Sequence, residues 1–121
     1  MNLYECNIIA VDFDGTLCFD CYPEIGTPNL RLINILKDLR EKGIRLILWT
    51  CRCGSPLSEA LSWCASFGLF FDAVNENLPE ILEKYGSDSR KIFADVYIDD
   101  RSINGLADFE FRDMDLMDIA V

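Results

Sequence analysis

Apolar residues along the chain gather in short runs, separated by stretches in which they recur at helical spacing. The runs at 7–13, 44–49 and 96–98 are typical of strands buried on both faces of a parallel sheet, and 69–74 predicts a further short strand. The helical spacing is carried by Leu32, Ile35, Leu36 and Leu39, and later by Leu57, Leu61 and Cys64. The pattern therefore changes from strand to helix and back along most of the chain.

Two hydroxyl–proline pairs mark the predicted helix starts. Thr27–Pro28 and Ser55–Pro56 each offer an N-cap side chain followed by proline at the first helical position, where a missing N–H costs little. Gly43 and Gly68 end these two helices. A third, short helix is predicted over 79–85, before the last strand.

The alternation of strands and helices predicts a parallel sheet with right-handed crossovers and helices on both faces. We expect an α/β fold, a three-layer Rossmann-like sandwich with a mainly parallel sheet. Half of the 121 residues are apolar, which is enough for one core, so a single domain over 1–121 is expected. Its acidic end, 107–121, is expected to form a loosely packed tail.

Composition excludes several classes of function. The formal charge of −10 disfavours broad nucleic-acid binding, and no apolar run approaches the roughly 20 residues that span a bilayer. The N-terminal residues do not resemble an export signal, so we expect a cytoplasmic protein whose six cysteines are reduced. The chain has no histidine, which removes Ser-His catalysis and imidazole metal sites. Carboxylates remain as the candidates for chemistry.

Polar residues follow three of the predicted strands. Asp12 and Asp14 come after the first, Thr50 after the second, and Asp99 and Asp100 after the last. Because parallel α/β sheets bind ligands at the carboxyl ends of their strands, we expect these side chains to share one crevice.

The segment Asp12-Phe13-Asp14-Gly15-Thr16 is the most informative motif. Residues two apart in an extended chain point the same way, so both carboxylates face one site. Two neighbouring anions favour a hard divalent cation with oxygen ligands, Mg²⁺ above all.

This motif, with Thr50, Lys91 and the pair Asp99-Asp100 in order behind it, resembles the four motifs of the haloacid dehalogenase superfamily. The resemblance spans residues 8–104. It implies a magnesium-dependent phosphatase in which Asp12 attacks phosphorus to give an aspartyl phosphate. Asp14 would protonate the leaving oxygen and then take a proton from the attacking water, which requires a raised pKa.

The resemblance also assigns the other members of the site. Lys91 would neutralise the phosphoryl group, while the Thr50 hydroxyl and the Cys51 amide would donate hydrogen bonds to it. The metal would be held by the Asp12 carboxylate, the Asp14 backbone carbonyl and one carboxylate of the final acidic pair. Asp100 is the expected ligand of that pair, and Asp99 would orient the lysine.

Arg52 leaves two alternatives open. Its planar guanidinium could bind a substrate phosphate or carboxylate, or it could form a surface salt bridge. The pairs Cys18/Cys21 and Cys51/Cys53 are more typical of ordinary thiols than of a tetrathiolate zinc site.

Relatives of this superfamily usually carry a cap domain, for which this chain has little room. We therefore expect a capless, open site for a nucleotide, a sugar phosphate or a phosphorylated macromolecule, which a homo-oligomer could complete. Only the loop 17–26 separates the first motif from its helix, and its residues 18–22 are predicted to be either solvent-side or a small lid in which Phe19 and Tyr22 cover the apolar part of a substrate. The alternative function is a non-catalytic or receiver-like domain that binds metal or phosphate in signalling.

Overall fold

The computed structural model describes residues 3–86 and 92–99. A single turn of 3₁₀ helix, Leu3–Glu5, precedes the first strand. The strands are Ile8–Val11 (β1), Cys18–Cys21 (β2), Glu24–Pro28 (β3), Arg45–Leu48 (β4), Ala73–Val74 (β5) and Val96–Ile98 (β6). The helices are Leu30–Glu41 (α1), Gly54–Ser66 (α2) and Pro79–Tyr85 (α3).

Four strands form a parallel sheet in the order β5-β4-β1-β6. The predicted α/β fold with a parallel sheet is therefore confirmed. The chain moves outwards from β1 through β4 to β5 and then returns to the opposite side of β1 with β6. Such a reversal of strand order opens a crevice at the carboxyl ends of the two strands that flank it. In this protein those strands are β1 and β6.

The buried apolar residues form two clusters. Successive residues of strand β1 belong to different clusters. Ile9 and Val11 of β1 belong to a large cluster with the buried residues of α1 and α2. Ile8 and Ala10 belong to a smaller cluster against which Ile81 of α3 packs. Since successive strand residues point to opposite faces, both faces of β1 are buried. This explains why its sequence is continuously apolar rather than alternating.

Helix α1 begins at a different cap from the one predicted. Thr27 and Pro28 are the last residues of β3, and the N-cap is Asn29, whose side chain accepts a hydrogen bond from the Leu32 amide at 3.2 Å. The prediction was wrong because pairing with β2 keeps Thr27 and Pro28 extended. Helix α2 likewise begins after Cys53 rather than Ser55, without a side-chain cap.

Most of the segment predicted as a loop at 17–26 belongs to an antiparallel hairpin of β2 and β3, which continues to Pro28. Only Cys18 of β2 is buried, so the strand lacks the apolar alternation that would reveal it in the sequence. Gly26 allows the two strands to approach closely, since a Cβ there would lie 2.2 Å from the Phe19 carbonyl oxygen. The hairpin stands immediately after the Asp-x-Asp motif and therefore borders the predicted site.

Three predictions fall outside the described residues. They concern Lys91, Asp100 and the acidic tail 107–121. Within 3–86 and 92–99, no helix combines the length and apolar character needed to cross a membrane.

Candidate functional site

Asp12 leaves the sheet at the strand-order reversal. Its amide donates a hydrogen bond to the Ile98 carbonyl at 2.9 Å, which continues the pairing of β1 with β6. Asp12 and Asp99 therefore leave neighbouring strands side by side, with the backbones separated by roughly 4.8 Å. The hydroxyl of buried Thr16 lies 3.5 Å from Oδ2 of Asp12. Parallel pairing thus brings together acids from opposite ends of the sequence.

A tight turn returns the chain after Asp14. The amides of Thr16 and Leu17 both donate to the Phe13 carbonyl, at 3.1 and 2.9 Å. Gly15 has a φ of +84°, a left-handed conformation that glycine adopts without a side-chain clash. The motif glycine therefore has a local backbone reason as well as a place in the resemblance.

Thr50 is positioned by the loops after β4 and β5. Its amide donates to the Asn75 side-chain oxygen at 2.7 Å, and Asn75 itself has a left-handed φ of 55°. The Thr50 hydroxyl accepts a hydrogen bond from the Arg52 amide at 3.1 Å. Because a hydroxyl can accept and donate at once, this bond leaves its proton for another acceptor. Asn75 has a structural role at the site that the sequence analysis did not identify.

These residues border one cavity of about 600 Å³ at the carboxyl end of the sheet. Its lining consists of Asp12, Asp14, Asp20, Tyr22, Thr50, Cys51 and Arg52. Five of these seven residues were expected at the site, and the structure brings them together. Their chemical roles stay predictions. Asp20 and Tyr22 come from the hairpin, and only the sequence position of their loop could have indicated them.

Arg52 differs from both alternatives given for it. Its side chain is 1% exposed, so the prediction of a surface salt bridge is wrong. The guanidinium donates from Nε and Nη2 to the two Asp14 oxygens, each at 2.8 Å. Its other bonds run to the backbone carbonyls of Pro23, Pro56 and Glu24, at 3.2, 3.2 and 3.0 Å.

The five bonds use all five N–H donors of the arginine. No donor is left over for a substrate phosphate or carboxylate, so the expected substrate-binding role of Arg52 disagrees with this geometry. The guanidinium carbon also lies 5.0 Å from the ring centres of Phe13 and Tyr22. Hydrogen bonding to Asp14 raises the pKa of Arg52 above its ordinary value, against the opposing effect of burial.

The same contacts change the expectation for Asp14. A proton-bearing carboxyl beside other anions was expected, but here both oxygens of Asp14 accept hydrogen bonds from a buried cation. A carboxylate offers about four acceptor positions, and the arginine occupies two of them. The arginine therefore fixes the orientation of the Asp14 carboxylate and leaves about two of its acceptor positions for other donors.

The chemistry of the donor set suits a hard cation. Asp12 and Asp99 follow paired strands in register, and oxygen ligands are those that Mg²⁺ prefers. Among residues 3–86 and 92–99, no three Asp, Glu or Cys side chains are grouped closely enough to hold a metal by themselves. The expected ligand set also includes a backbone carbonyl and Asp100, which lies outside this part of the chain.

The four loop cysteines differ in burial and are not grouped in the described part of the chain as a tetrathiolate site requires. Cys18 is buried and its thiol points to the Phe13 carbonyl, with sulfur and oxygen 3.9 Å apart, whereas Cys21, Cys51 and Cys53 are exposed. All four lie within the described ranges, and no metal-binding group includes them. Burial raises the pKa of the Cys18 thiol, which disfavours the thiolate that a metal would need.

Comparisons with known proteins add one relative. No family model matches the chain, and the search of curated proteins found no match. Among solved structures, a conserved protein from Bacteroides thetaiotaomicron is similar, with a TM-score of 0.73 and 39% sequence identity. The alignment covers 88% of this chain and 90% of that one. This chain belongs to the family of that conserved protein. This similarity shows the family and identifies no reaction.

Proposed function

We propose that this protein is a magnesium-dependent phosphomonoester hydrolase of the haloacid dehalogenase type, with Asp12 as its nucleophile. The observation that carries the proposal is the convergence of Asp12, Asp14 and Thr50 on one cavity, with Asp99 at the end of the neighbouring strand. Carboxylates placed at a strand-order reversal of a parallel sheet are where this fold binds ligands. The remaining proposed members, Lys91 and Asp100, keep the roles that the resemblance implies.

The first step is displacement at phosphorus. An oxygen of Asp12 forms a bond to phosphorus while the bond to the leaving oxygen breaks, and Asp14 supplies a proton to that oxygen. The Thr50 hydroxyl and the Cys51 amide donate hydrogen bonds to the equatorial oxygens, where negative charge accumulates. Both residues line the cavity beside Asp12, which supports this assignment.

The second step returns the nucleophile. Asp14 removes a proton from water, whose oxygen attacks the phosphorus of the aspartyl phosphate, and the bond between Asp12 and phosphorus breaks. The products are inorganic phosphate and the original carboxylate of Asp12. Mg²⁺, when bound, would neutralise the charge between the carboxylates and the phosphoryl group. Asp12, the Asp14 carbonyl and Asp100 would hold it, with Asp99 orienting Lys91.

The proposal includes a three-layer arrangement without a cap domain. In it, α1 and α2 cover one face of the sheet, α3 covers the other, and the β2–β3 hairpin borders the cavity. Two facts support this view: the apolar clusters divide between the two faces, and the hairpin contributes Asp20 and Tyr22 to the lining. An open site of this kind suits nucleotides, sugar phosphates or phosphorylated macromolecules.

Phosphate release from a panel of these three substrate classes, with Mg²⁺ present, tests the proposal. Asp12→Asn should lower kcat by at least about 1000-fold, because an amide cannot act as the nucleophile. Glu59→Gln is a matched control that also removes one negative charge, from an exposed position on α2, and it should retain activity. Chelation of Mg²⁺ by EDTA should abolish turnover, and added Mg²⁺ should restore it.

Single turnover in ¹⁸O-labelled water would identify the attacked atom. Attack of water at the phosphorus of the aspartyl phosphate puts solvent oxygen into phosphate, whereas attack at the carboxyl carbon would leave it in Asp12. Direct attack of water on substrate would also label phosphate but would form no covalent protein species. Trapping of a phosphorylated peptide containing Asp12 is expected. Binding of Mg²⁺ and phosphate without turnover on any substrate would favour the non-catalytic alternative.

A further inference from the structure

We infer that Arg52 is a positioning residue that holds Asp14 and the β2–β3 hairpin in one fixed arrangement beside the cavity. The effect of Arg52 on catalysis rests on the proposed function. Its effect on the hairpin rests on the contacts alone. Its evidence lies in the number, direction and burial of the bonds that the guanidinium makes.

The guanidinium connects three separate segments. It binds the Asp14 side chain after β1, the carbonyls of Pro23 and Glu24 at the turn of the hairpin, and the Pro56 carbonyl in the first turn of α2. The Asp14 bond joins residues 38 apart in sequence. Because the side chain is almost fully buried, loss of any partner would leave a desolvated donor, which is costly. The three segments are therefore held together as one unit.

Aromatic rings cover the guanidinium as well. Phe13 is fully buried, whereas Tyr22 at the hairpin tip remains 58% exposed. Both ring centres lie 5.0 Å from the guanidinium carbon, within the range of a cation–π contact. Arg52, which holds Asp14, therefore also fixes the exposed tip of the hairpin through its contact with Tyr22.

Lysine could not replace this arrangement. The five donors of arginine lie in one plane with a fixed fork that matches the two oxygens of a carboxylate, and the flat group packs against aromatic rings. An ammonium group has three donors and no planar face, so it could satisfy Asp14 only in part. The site therefore requires the guanidinium group itself, and a positive charge alone is not sufficient.

Two consequences follow for the site. The Asp14 carboxylate is oriented before substrate arrives, which reduces the reorganisation that proton transfer requires. The hairpin acts as a fixed wall rather than as a lid that opens and closes, and its residues Asp20 and Tyr22 line the cavity. The leaving group of a substrate would contact the hairpin. Arg52 therefore also fixes the shape of the cavity wall against which the leaving group must fit.

Arg52→Ala and Arg52→Lys test the catalytic consequence. We expect kcat to fall about 100-fold in both, the size of effect produced by misplacing a reacting group by about 1 Å. Millimolar guanidinium, far below the molar concentrations that unfold proteins, should restore at least about 10-fold of the loss in Arg52→Ala. Ammonium at the same concentration should not, and guanidinium should leave the lysine variant unchanged because its side chain fills the space.

Arg40→Ala is the matched control. Arg40 also binds an aspartate through two nitrogens, but its side chain is 39% exposed and its partner Asp72 lies away from the cavity. The kcat of the Arg40→Ala variant should equal that of the unsubstituted protein, with or without guanidinium. A folded Arg52→Ala variant with unchanged kcat, or with a loss that guanidinium does not relieve, would overturn the positioning role.

Hydrogen exchange tests the structural consequence without any substrate. Backbone amides of 18–28 should exchange at least about 10-fold faster in Arg52→Ala than in Arg40→Ala, and guanidinium should slow them again. Equal protection of the hairpin in both variants would overturn the inference. If the unsubstituted protein released no phosphate but the hairpin still depended on Arg52, the proposed function would fail and the structural role would stand.

Discussion

The two ends of the parallel sheet use aspartate in opposite ways. At the amino end, Asp95 accepts hydrogen bonds from the amides of Asn7 and Ile8, at 2.8 and 2.9 Å. Asp72 accepts one from the Leu46 amide at 2.8 Å. These carboxylates complete the hydrogen bonding of the first residues of β1 and β4. Both are structural acids that bind strand amides, and Asp72 also pairs with Arg40 of α1.

At the carboxyl end the strands present carbonyl groups, which repel a carboxylate instead of binding it. Asp14 is held there by Arg52, and Asp12 and Asp99 leave adjacent strands together. Acids at this end need a cation or a hydroxyl to offset their charge, and the same need makes them suitable for binding a metal and a phosphoryl group. The direction of the strands thus decides which aspartates bind strand amides and which lie at the end where we propose the chemistry takes place.

The largest expected contrast between the two ends is in activity. Asp12→Asn should lose at least about 1000-fold in kcat while its free energy of unfolding stays within about 0.5 kcal/mol. Asp95→Asn should keep kcat but lose about 2 kcal/mol of stability, since two amides lose a charged acceptor. Urea unfolding and phosphate release on the same two preparations measure both quantities. A large activity loss in Asp95→Asn with full stability would break the division.

The next effect compares the two arginine–aspartate pairs. Arg52→Met should lower the free energy of unfolding by about 3 kcal/mol, because it leaves Asp14 without the cation that it faces in a largely buried pair. Arg40→Met removes an exposed pair and should cost under about 1 kcal/mol. Chemical denaturation of both variants gives the comparison. Equal losses would show that burial does not determine the strength of these pairs.

A smaller effect concerns Tyr4, whose hydroxyl donates to Asp38 of α1 at 2.6 Å. Burial and this hydrogen bond raise the pKa of Tyr4 from 10.0 to about 12. The folded protein therefore holds the proton more tightly than the unfolded chain, so stability should fall as pH rises from about 10 to about 12. Tyr4→Phe should show a smaller fall over that range in thermal unfolding. An identical pH profile for the variant would exclude Tyr4 as the titrating group.

Local pattern was sufficient for much of the architecture. The last helix and strand lie at 79–85 and 96–98, as predicted, and the first two buried strands fall within their predicted runs. Burial on both faces forces continuous apolar sequence, and helical packing forces a repeat of three to four residues, so both signals are visible without the fold. The Asp-x-Asp-Gly-Thr motif was visible for a similar reason, because its members are neighbours in the chain.

The sequence by itself determined the strands of the parallel sheet, the three helices and the acids that follow β1 and β6. Only the tertiary structure decided that 18–28 pairs as a hairpin, that Asn29 caps α1, and that Arg52 is buried against Asp14. The physical reason is distance along the chain. Arg52 is an ordinary charged loop residue until folding brings it to partners 28 to 38 positions away, and no short-range pattern records contacts of that kind.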